Sequence, residues 1–136
     1  MAERLILDTS VLISAERGHL DLAAAAGDDA DAALPAIVLA EYLTGVHLAA
    51  TDTQRAARHE FLDRVLQVLP IETYTHRVAE RHAELLAHAH RSGTTRGAHD
   101  LIIAATALAT GRTVLTTDTR AGFDQLPGVS ARVHAQ

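Results

Sequence analysis

Two short segments in this chain, rich in aliphatic and β-branched residues, each lead into an aspartate. Residues 5–7 lead into Asp8, and residues 113–117 lead into Asp118. Short apolar runs bounded by polar residues are typical of buried β-strands. A carboxylate at the end of a buried strand is costly to keep charged unless it has a partner. We therefore expect Asp8 either to cap the helix that follows or to form one wall of a site.

Apolar residues recur at helical spacing over most of the remaining sequence. The longer predicted helices cover residues 36–49, 53–69, 73–91 and 99–111, of which the last is apolar enough to be buried. The shorter predicted elements are one or two helices within 11–22, strands at 32–34, near 71 and at 129–133, and a helix or turn at 123–127. This alternation predicts an α/β fold with a central, mostly parallel sheet and helices on both faces.

Two polar segments resemble metal sites but are better explained as solvated surface. Residues 27–31 (GDDAD) lack the downstream glycine and glutamate of a calcium loop, so we expect a solvated turn. A stripe of histidine and glutamate at four-residue spacing runs along the 73–91 helix, and we expect a solvated helix face there. The stripe consists of His76, Glu80, Glu84 and His88.

Composition narrows the class of protein. A chain of 136 residues suits one domain with one core. The absence of cysteine excludes disulfides, thiolate metal sites and a catalytic thiol. No apolar run is long enough to cross a bilayer and no signal-peptide pattern is present, so we expect a cytoplasmic protein. The net charge of -5 disfavours unaided binding to phosphates, and it fits better if bound cations neutralise several acids.

Four acids stand out by their place in the predicted elements. Asp8 and Asp118 end strands, whereas Glu41 and Asp100 lie near the starts of helices. In a parallel α/β sheet these positions lie at one edge, so the four carboxylates can meet there. Their repulsion is relieved by protonation or by hard divalent cations such as Mg²⁺. A bound cation would activate water, which predicts hydrolysis of a phosphodiester without a covalent intermediate.

The segments that carry these acids also resemble a known family. They are LILDTSVLI, IVLAEYLTGV, GAHDLIIAATAL and VLTTDTRAGFDQLPGV, and they follow one another in order between residues 4 and 133. Together they resemble the four acidic motifs of the PIN domain family, and most of all its small bacterial members, the VapC-type toxins of type II toxin–antitoxin pairs.

This resemblance implies that residues 1–136 form a single PIN-like domain with a three-layer fold. It implies an endoribonuclease that depends on Mg²⁺, with Mn²⁺ as a substitute, and an RNA substrate. It also implies a VapB-like antitoxin partner, whose C-terminal segment lies in the active-site groove, and a homodimer.

The resemblance further implies a role for particular residues. The catalytic and metal-binding acids would be Asp8, Glu41, Asp100 and Asp118. Ser10 and Thr116 occupy the positions of polar residues that support metal-bound water, and Asp118 is expected to reach a metal directly or through water. The sequence departs from the family where a further acid often precedes the aromatic residue, because Ala121 and Gly122 precede Phe123 here.

Several basic residues lie beside the last two acids in the sequence. Arg96, Arg112 and Arg120 are candidates for contact with RNA phosphates, since guanidinium groups pair well with phosphate. Surface salt bridges are the alternative. His99 is expected to make a hydrogen bond at the start of its helix, with action on a phosphate or leaving group as the alternative.

Two other functions remain open. A PIN-like module that binds RNA or a partner without cutting is one, although the presence of all four acids disfavours it. A phosphoaspartyl enzyme with Asp8 as nucleophile is the other. Dehalogenase-type phosphatases need an acid two residues later, where this chain has Ser10, and receiver-like proteins need a late lysine, which this chain lacks entirely.

Overall fold

Five parallel strands form the centre of the molecule. The computed structural model describes residues 2–135. The strands are β1 (Arg4–Leu7), β2 (Asp31–Pro35), β3 (Ile71–Glu72), β4 (Thr113–Thr116) and β5 (Ala131–Val133). Their order across the sheet is β3-β2-β1-β4-β5, and every neighbouring pair is parallel. The sheet order therefore reverses at β1, so β1 and β4 border the switch point where ligands bind in open α/β sheets.

Within residues 2–135, six α-helices connect the strands. They are α1 (Thr9–Glu16), α2 (Leu22–Ala26), α3 (Ala36–His47), α4 (Asp52–Val68), α5 (His76–Ser92) and α6 (Ala98–Thr110). Helices flank the sheet, which confirms the α/β architecture expected from the alternation of patterns. Short 3-10 turns follow β4 at Thr119–Ala121 and Phe123–Gln125.

The helix ends follow ordinary capping chemistry. Thr51 and Thr75 accept backbone N–H groups at the starts of α4 and α5, because a threonine oxygen satisfies a donor that the helix leaves free. Gly111 ends α6 with φ 66°, a left-handed conformation that favours glycine. The predicted helices were correct within a few residues, although α5 begins three residues later than expected because Thr75 caps it.

The core is aliphatic and lies between the sheet and the helices. Leu5, Ile6 and Leu7 of β1 are fully buried, as the apolar run predicted. Helix α6 buries Ile103 and five other residues, which confirms that its apolar surface faces the interior. Phe123 is the large aromatic residue among the fully buried side chains of the described chain. No helix within residues 2–135 is both long enough and apolar enough to span a membrane.

The amino-terminal edge of the sheet is held by charged side chains. Asp31 was expected in a solvated turn, but it begins β2 and pairs with Arg4 at 2.6 Å between Nη1 and Oδ2. Arg112 Nη1 donates to the carbonyl oxygens of Leu5 and Asp31, at 3.1 and 2.7 Å. This network fixes the starts of β1, β2 and β4, and so leaves the opposite edge, where the strands end, free to carry a site.

The histidine and glutamate stripe on α5 is a solvated face. His76 and Glu80 are exposed and form a pair with 3.4 Å between Nε2 and Oε1. Glu84 pairs with Arg81 rather than with a histidine. The prediction that this stripe forms a solvated helix face is therefore confirmed.

Candidate functional site

Asp8 is a buried carboxylate at the end of β1. Only 7% of its surface is exposed. Its Oδ1 accepts the Thr9 backbone N–H at 2.9 Å, and its Oδ2 accepts the hydroxyls of Ser10 and Thr116 at 2.9 and 2.8 Å. Burial raises the pKa of Asp8, although these three hydrogen bonds lower it in part. Asp8 is the N-cap of α1, which confirms the expectation that it caps the helix that follows.

Ser10 and Thr116 tie the ends of β1 and β4 together. Besides donating to Asp8, the Ser10 hydroxyl accepts the Thr117 N–H at 3.1 Å. The Thr116 hydroxyl accepts the Asp118 N–H at 3.0 Å. The two hydroxyls therefore orient Asp8 and set the backbone at Asp118 at the same time.

Glu41 contacts two other helices through its carboxylate. The Thr9 hydroxyl on α1 donates to Glu41 Oε1 at 2.8 Å. His99 Nδ1, on the first turn of α6, lies 3.1 Å from Glu41 Oε2. His99 was expected to make a hydrogen bond at the start of its helix; it lies in the first turn of α6, and the group beside its Nδ1 is the Glu41 side chain on α3.

The negative charges of all three other acids act on the carboxyl group of Asp100. Burial is the largest cause that raises its pKa to about 6, and the negative charges of Asp8, Glu41 and Asp118 raise it further, while His99 lowers it. Within residues 2–135, neither Asp8 nor Asp100 forms an ion pair. The structure thus brings the four predicted acids into one cluster whose negative charge is largely uncompensated.

Asp118 is the most open of the four acids. Its side chain is 44% exposed. It caps the 3-10 turn after β4, where its Oδ1 accepts the Arg120 N–H at 2.9 Å. Its negative charge is one of those that raise the pKa of Asp100, so it belongs to the same cluster.

The three arginines that were candidates for RNA contact lie in different places. The Arg120 side chain is 95% exposed, with Nε 3.8 Å from Asp118 Oδ1. Arg96 donates to the carbonyls of Ala121 and Gly122 and to Gln125, so it ties the loop before α6 to the turns after β4. The Arg112 prediction is wrong, because its side chain is 6% exposed and lies at the opposite edge of the sheet.

A cleft beside Glu41 was not foreseen from the sequence. It measures about 130 Å³ and lies between α1, α3 and α4. Arg17 and Arg58 line it together with Ile13 and Tyr42. No local spacing in the sequence joins these residues, since they come from three helices. Thr9 was also missed, although its place between Asp8 and Ser10 was a signal that it belongs to the site.

The acids fit a hard divalent cation that keeps part of its hydration shell. Carboxylate oxygens are the ligands that Mg²⁺ prefers, and the unpaired charge at Asp8 and Asp100 favours a cation. In the part of the chain that is described, no three or more histidine, aspartate or glutamate side chains lie close enough together to hold a metal ion by themselves. A cation here would therefore be held by few direct ligands and by water, as is usual for Mg²⁺.

Comparison with known proteins agrees with this arrangement. The family model for the PIN domain matches residues 5–129. This match covers most of the chain, and the chain therefore belongs to the PIN domain family. Ribonuclease VapC of Rickettsia bellii is 31% identical over 123 residues, which cover 90% of each chain.

Solved structures extend the similarity to the fold. VapBC2 from Rickettsia felis, bound to a DNA fragment from its promoter, contains a chain with a TM-score of 0.84 and 25% identity, which covers 96% of this chain and 98% of that one. VapBC-5 from Mycobacterium tuberculosis, a member of the VapBC family of toxin–antitoxin systems, gives a TM-score of 0.75 with 29% identity over 98% of each chain.

Proposed function

We propose that this chain is a Mg²⁺- or Mn²⁺-dependent endoribonuclease and acts as the toxin of a toxin–antitoxin pair. The observation that carries the proposal is the convergence of Asp8, Glu41, Asp100 and Asp118 at the switch point of the sheet, where three acids act together on the pKa of the fourth. The relatives named ribonuclease VapC support the reaction class.

The four acids divide into two pairs in the proposed reaction. Asp8 and Asp100, the two acids with raised pKa values, would hold the cation, and Glu41 and Asp118 would complete its shell directly or through water. A bound cation would supply an activated water and neutralise the charge that develops on the phosphodiester. Ser10 and Thr116 keep the Asp8 oxygens oriented, so that its carboxylate does not turn away from its neighbours.

Exposed basic groups near the acids offer a path for RNA. Arg120 lies on the solvent side of Asp118, and Arg17 lines the cleft beside Glu41. Guanidinium groups in these places would bind phosphates on either side of the cut. Arg112 is not given this role, because its side chain is 6% exposed and lies at the opposite edge of the sheet. For Arg96 we propose mainly a structural role, because it donates to the carbonyl of Gly122 and to Gln125.

We further propose a VapB-like antitoxin as partner and a homodimer as the assembly. The support for the antitoxin is that structural neighbours over nearly the whole chain come from VapBC structures. The homodimer is proposed from the resemblance to VapC-type toxins alone. The antitoxin would restrain the nuclease until it is removed.

Growth of a bacterial host after induction of this chain tests the proposal. The comparison is with Asp8→Asn at matched expression, and Asp124→Asn controls for the loss of one exposed negative charge near the site. Wild type and Asp124→Asn are expected to arrest growth and yield new RNA ends, whereas Asp8→Asn is not. Arrest by Asp8→Asn would favour the module that binds RNA or a partner without cutting.

A further inference from the structure

Glu41 is the one acid of the cluster whose two carboxylate oxygens contact side chains from two other helices. Thr9 Oγ1 on α1 donates to Oε1 at 2.8 Å, and His99 Nδ1 on α6 lies 3.1 Å from Oε2. We infer that Thr9 and His99 are positioning residues that hold the Glu41 carboxylate toward the other acids. This inference rests on the proposed function, because it concerns the same metal-dependent site.

We call Thr9 and His99 together the Glu41 clamp. The physical need for this clamp follows from the charge of the cluster. A glutamate side chain has several freely rotating bonds, and Asp8 and Asp100 repel its carboxylate. Glu41 retains 30% side-chain exposure, so solvent is open to it as an alternative. Without the two contacts, repulsion would drive the carboxylate outward. With them, its orientation is fixed before any cation arrives.

Thr9 links two acids through two separate groups. Its backbone N–H donates to Asp8 Oδ1 at 2.9 Å, while its hydroxyl donates to Glu41. Capping of α1 needs only the first of these contacts, so the hydroxyl is not required for the helix to begin. Thr9 therefore sets the separation of Asp8 and Glu41, which belong to different elements.

His99 completes the clamp from the opposite side. For the contact to be a hydrogen bond, Nδ1 must carry the hydrogen, because both Glu41 oxygens only accept. The His99 side chain as a whole is 54% exposed. Since His99 directly precedes Asp100, the contact also ties the start of α6 to α3.

Calorimetric titration of the full-length, metal-free protein with Mn²⁺ tests the inference without depending on catalysis. Thr9→Val keeps the shape of the side chain and removes the hydroxyl, and Thr9→Ser restores the hydroxyl. Removing a group that orients a metal-binding carboxylate weakens metal affinity by roughly 10- to 100-fold. We expect a loss of about tenfold or more for Thr9→Val and near wild-type affinity for Thr9→Ser.

His99 is tested by a second matched pair. His99→Asn keeps an N–H near the position of Nδ1, and His99→Leu removes it. We expect weaker Mn²⁺ binding for His99→Leu than for His99→Asn. Melting temperatures in EDTA report whether each variant is folded, and RNA cleavage at saturating Mn²⁺ should recover more fully in Thr9→Ser and His99→Asn than in Thr9→Val and His99→Leu.

The outcomes separate this inference from the proposed function. Wild-type Mn²⁺ affinity in Thr9→Val, or equal losses in Thr9→Val and Thr9→Ser, would overturn the positioning role and leave the metal-dependent nuclease standing. Absence of Mn²⁺ binding by the wild type would overturn both. A loss confined to Thr9→Val and His99→Leu supports the clamp.

Discussion

Replacing Asp100 by asparagine is expected to stabilise the metal-free protein near neutral pH. The pKa of Asp100 is raised from 3.8 to about 6, first by burial and then by its acidic neighbours. Between pH 3.8 and about 6, the folded protein therefore retains a proton on Asp100 that the unfolded chain releases. Stability from this group is complete below pH 3.8 and is lost as the pH rises through 6.

The size of the stabilisation follows from the difference between the pKa of Asp100 in the folded protein and in the unfolded chain. Two pH units correspond to ~3 kcal/mol at 1.36 kcal/mol per unit. Solvent screening reduces this figure because Asp100 is only partly buried. The charge of Asp100 in the first turn of α6 also favours the helix by about 0.3–1 kcal/mol, which the substitution removes. A net gain of about 1–2 kcal/mol remains, or roughly 3–8 °C in melting temperature for a chain of this size.

Thermal unfolding followed by circular dichroism in EDTA measures this gain. Asp100→Asn should melt above wild type at pH 8, and the gap should narrow toward pH 4.5 as Asp100 becomes protonated. Asp124→Asn, an exposed acid outside the cluster, should not reproduce the gap. Equal melting temperatures at pH 8, or a less stable Asp100→Asn, would refute the conclusion that burial and the neighbouring acids together destabilise the charged form of Asp100.

Three further substitutions test how the site is supported. Arg112→Ala should lower the free energy of unfolding in urea by about 2–3 kcal/mol, because it leaves two backbone carbonyls without a charged donor, and RNA affinity per folded molecule should not change. A stable variant with weakened RNA binding would contradict this. Gly97→Ala would place a Cβ 3.0 Å from Asp100 Oδ2, so the carboxylate must shift. RNA cleavage should therefore fall while the melting temperature changes little, and unchanged cleavage would contradict a site that requires Asp100 in its present position. Gly122→Ala should lower the free energy of unfolding in urea by about 1–2 kcal/mol, because φ is +63° there and the new Cβ would lie 2.8 Å from Arg96 Nη1. Wild-type stability of this variant would show that the turn is not constrained.

The strands that end in Asp8 and Asp118 were predictable for a simple reason. The inner residues of strands buried on both faces are mostly apolar, so an acid that follows such residues marks the end of the strand. Parallel connections then place both ends at the same edge of the sheet. The convergence of the acids therefore follows from local pattern and topology.

Arg112 shows where proximity in sequence misleads. It precedes Asp118 by six residues, which suggested that both face the same site. The four residues of β4 lie between them and advance about 13 Å at 3.3 Å per residue. The strand thus carries Arg112 to the far edge of the sheet, where it pairs with Asp31.

The contacts of Glu41 were beyond the reach of local patterns for a different reason. Thr9, Glu41 and His99 belong to three helices, and their meeting depends on how α1, α3 and α6 pack. Helical periodicity tells which face of each helix is buried. It does not fix the rotation and offset between helices, which decide whether the His99 ring meets a carboxylate or solvent.

Cleavage of RNA by the purified protein, measured beside Asp100→Asn, tests the central claim most directly. The wild type should cut RNA with Mg²⁺ or Mn²⁺, stop in EDTA and recover when the cation is restored. Asp100→Asn should be folded, more stable at pH 8 and inactive at every Mn²⁺ concentration. Cutting that survives EDTA, or an Asp100→Asn variant as active as the wild type, would contradict a nuclease site built from these four carboxylates.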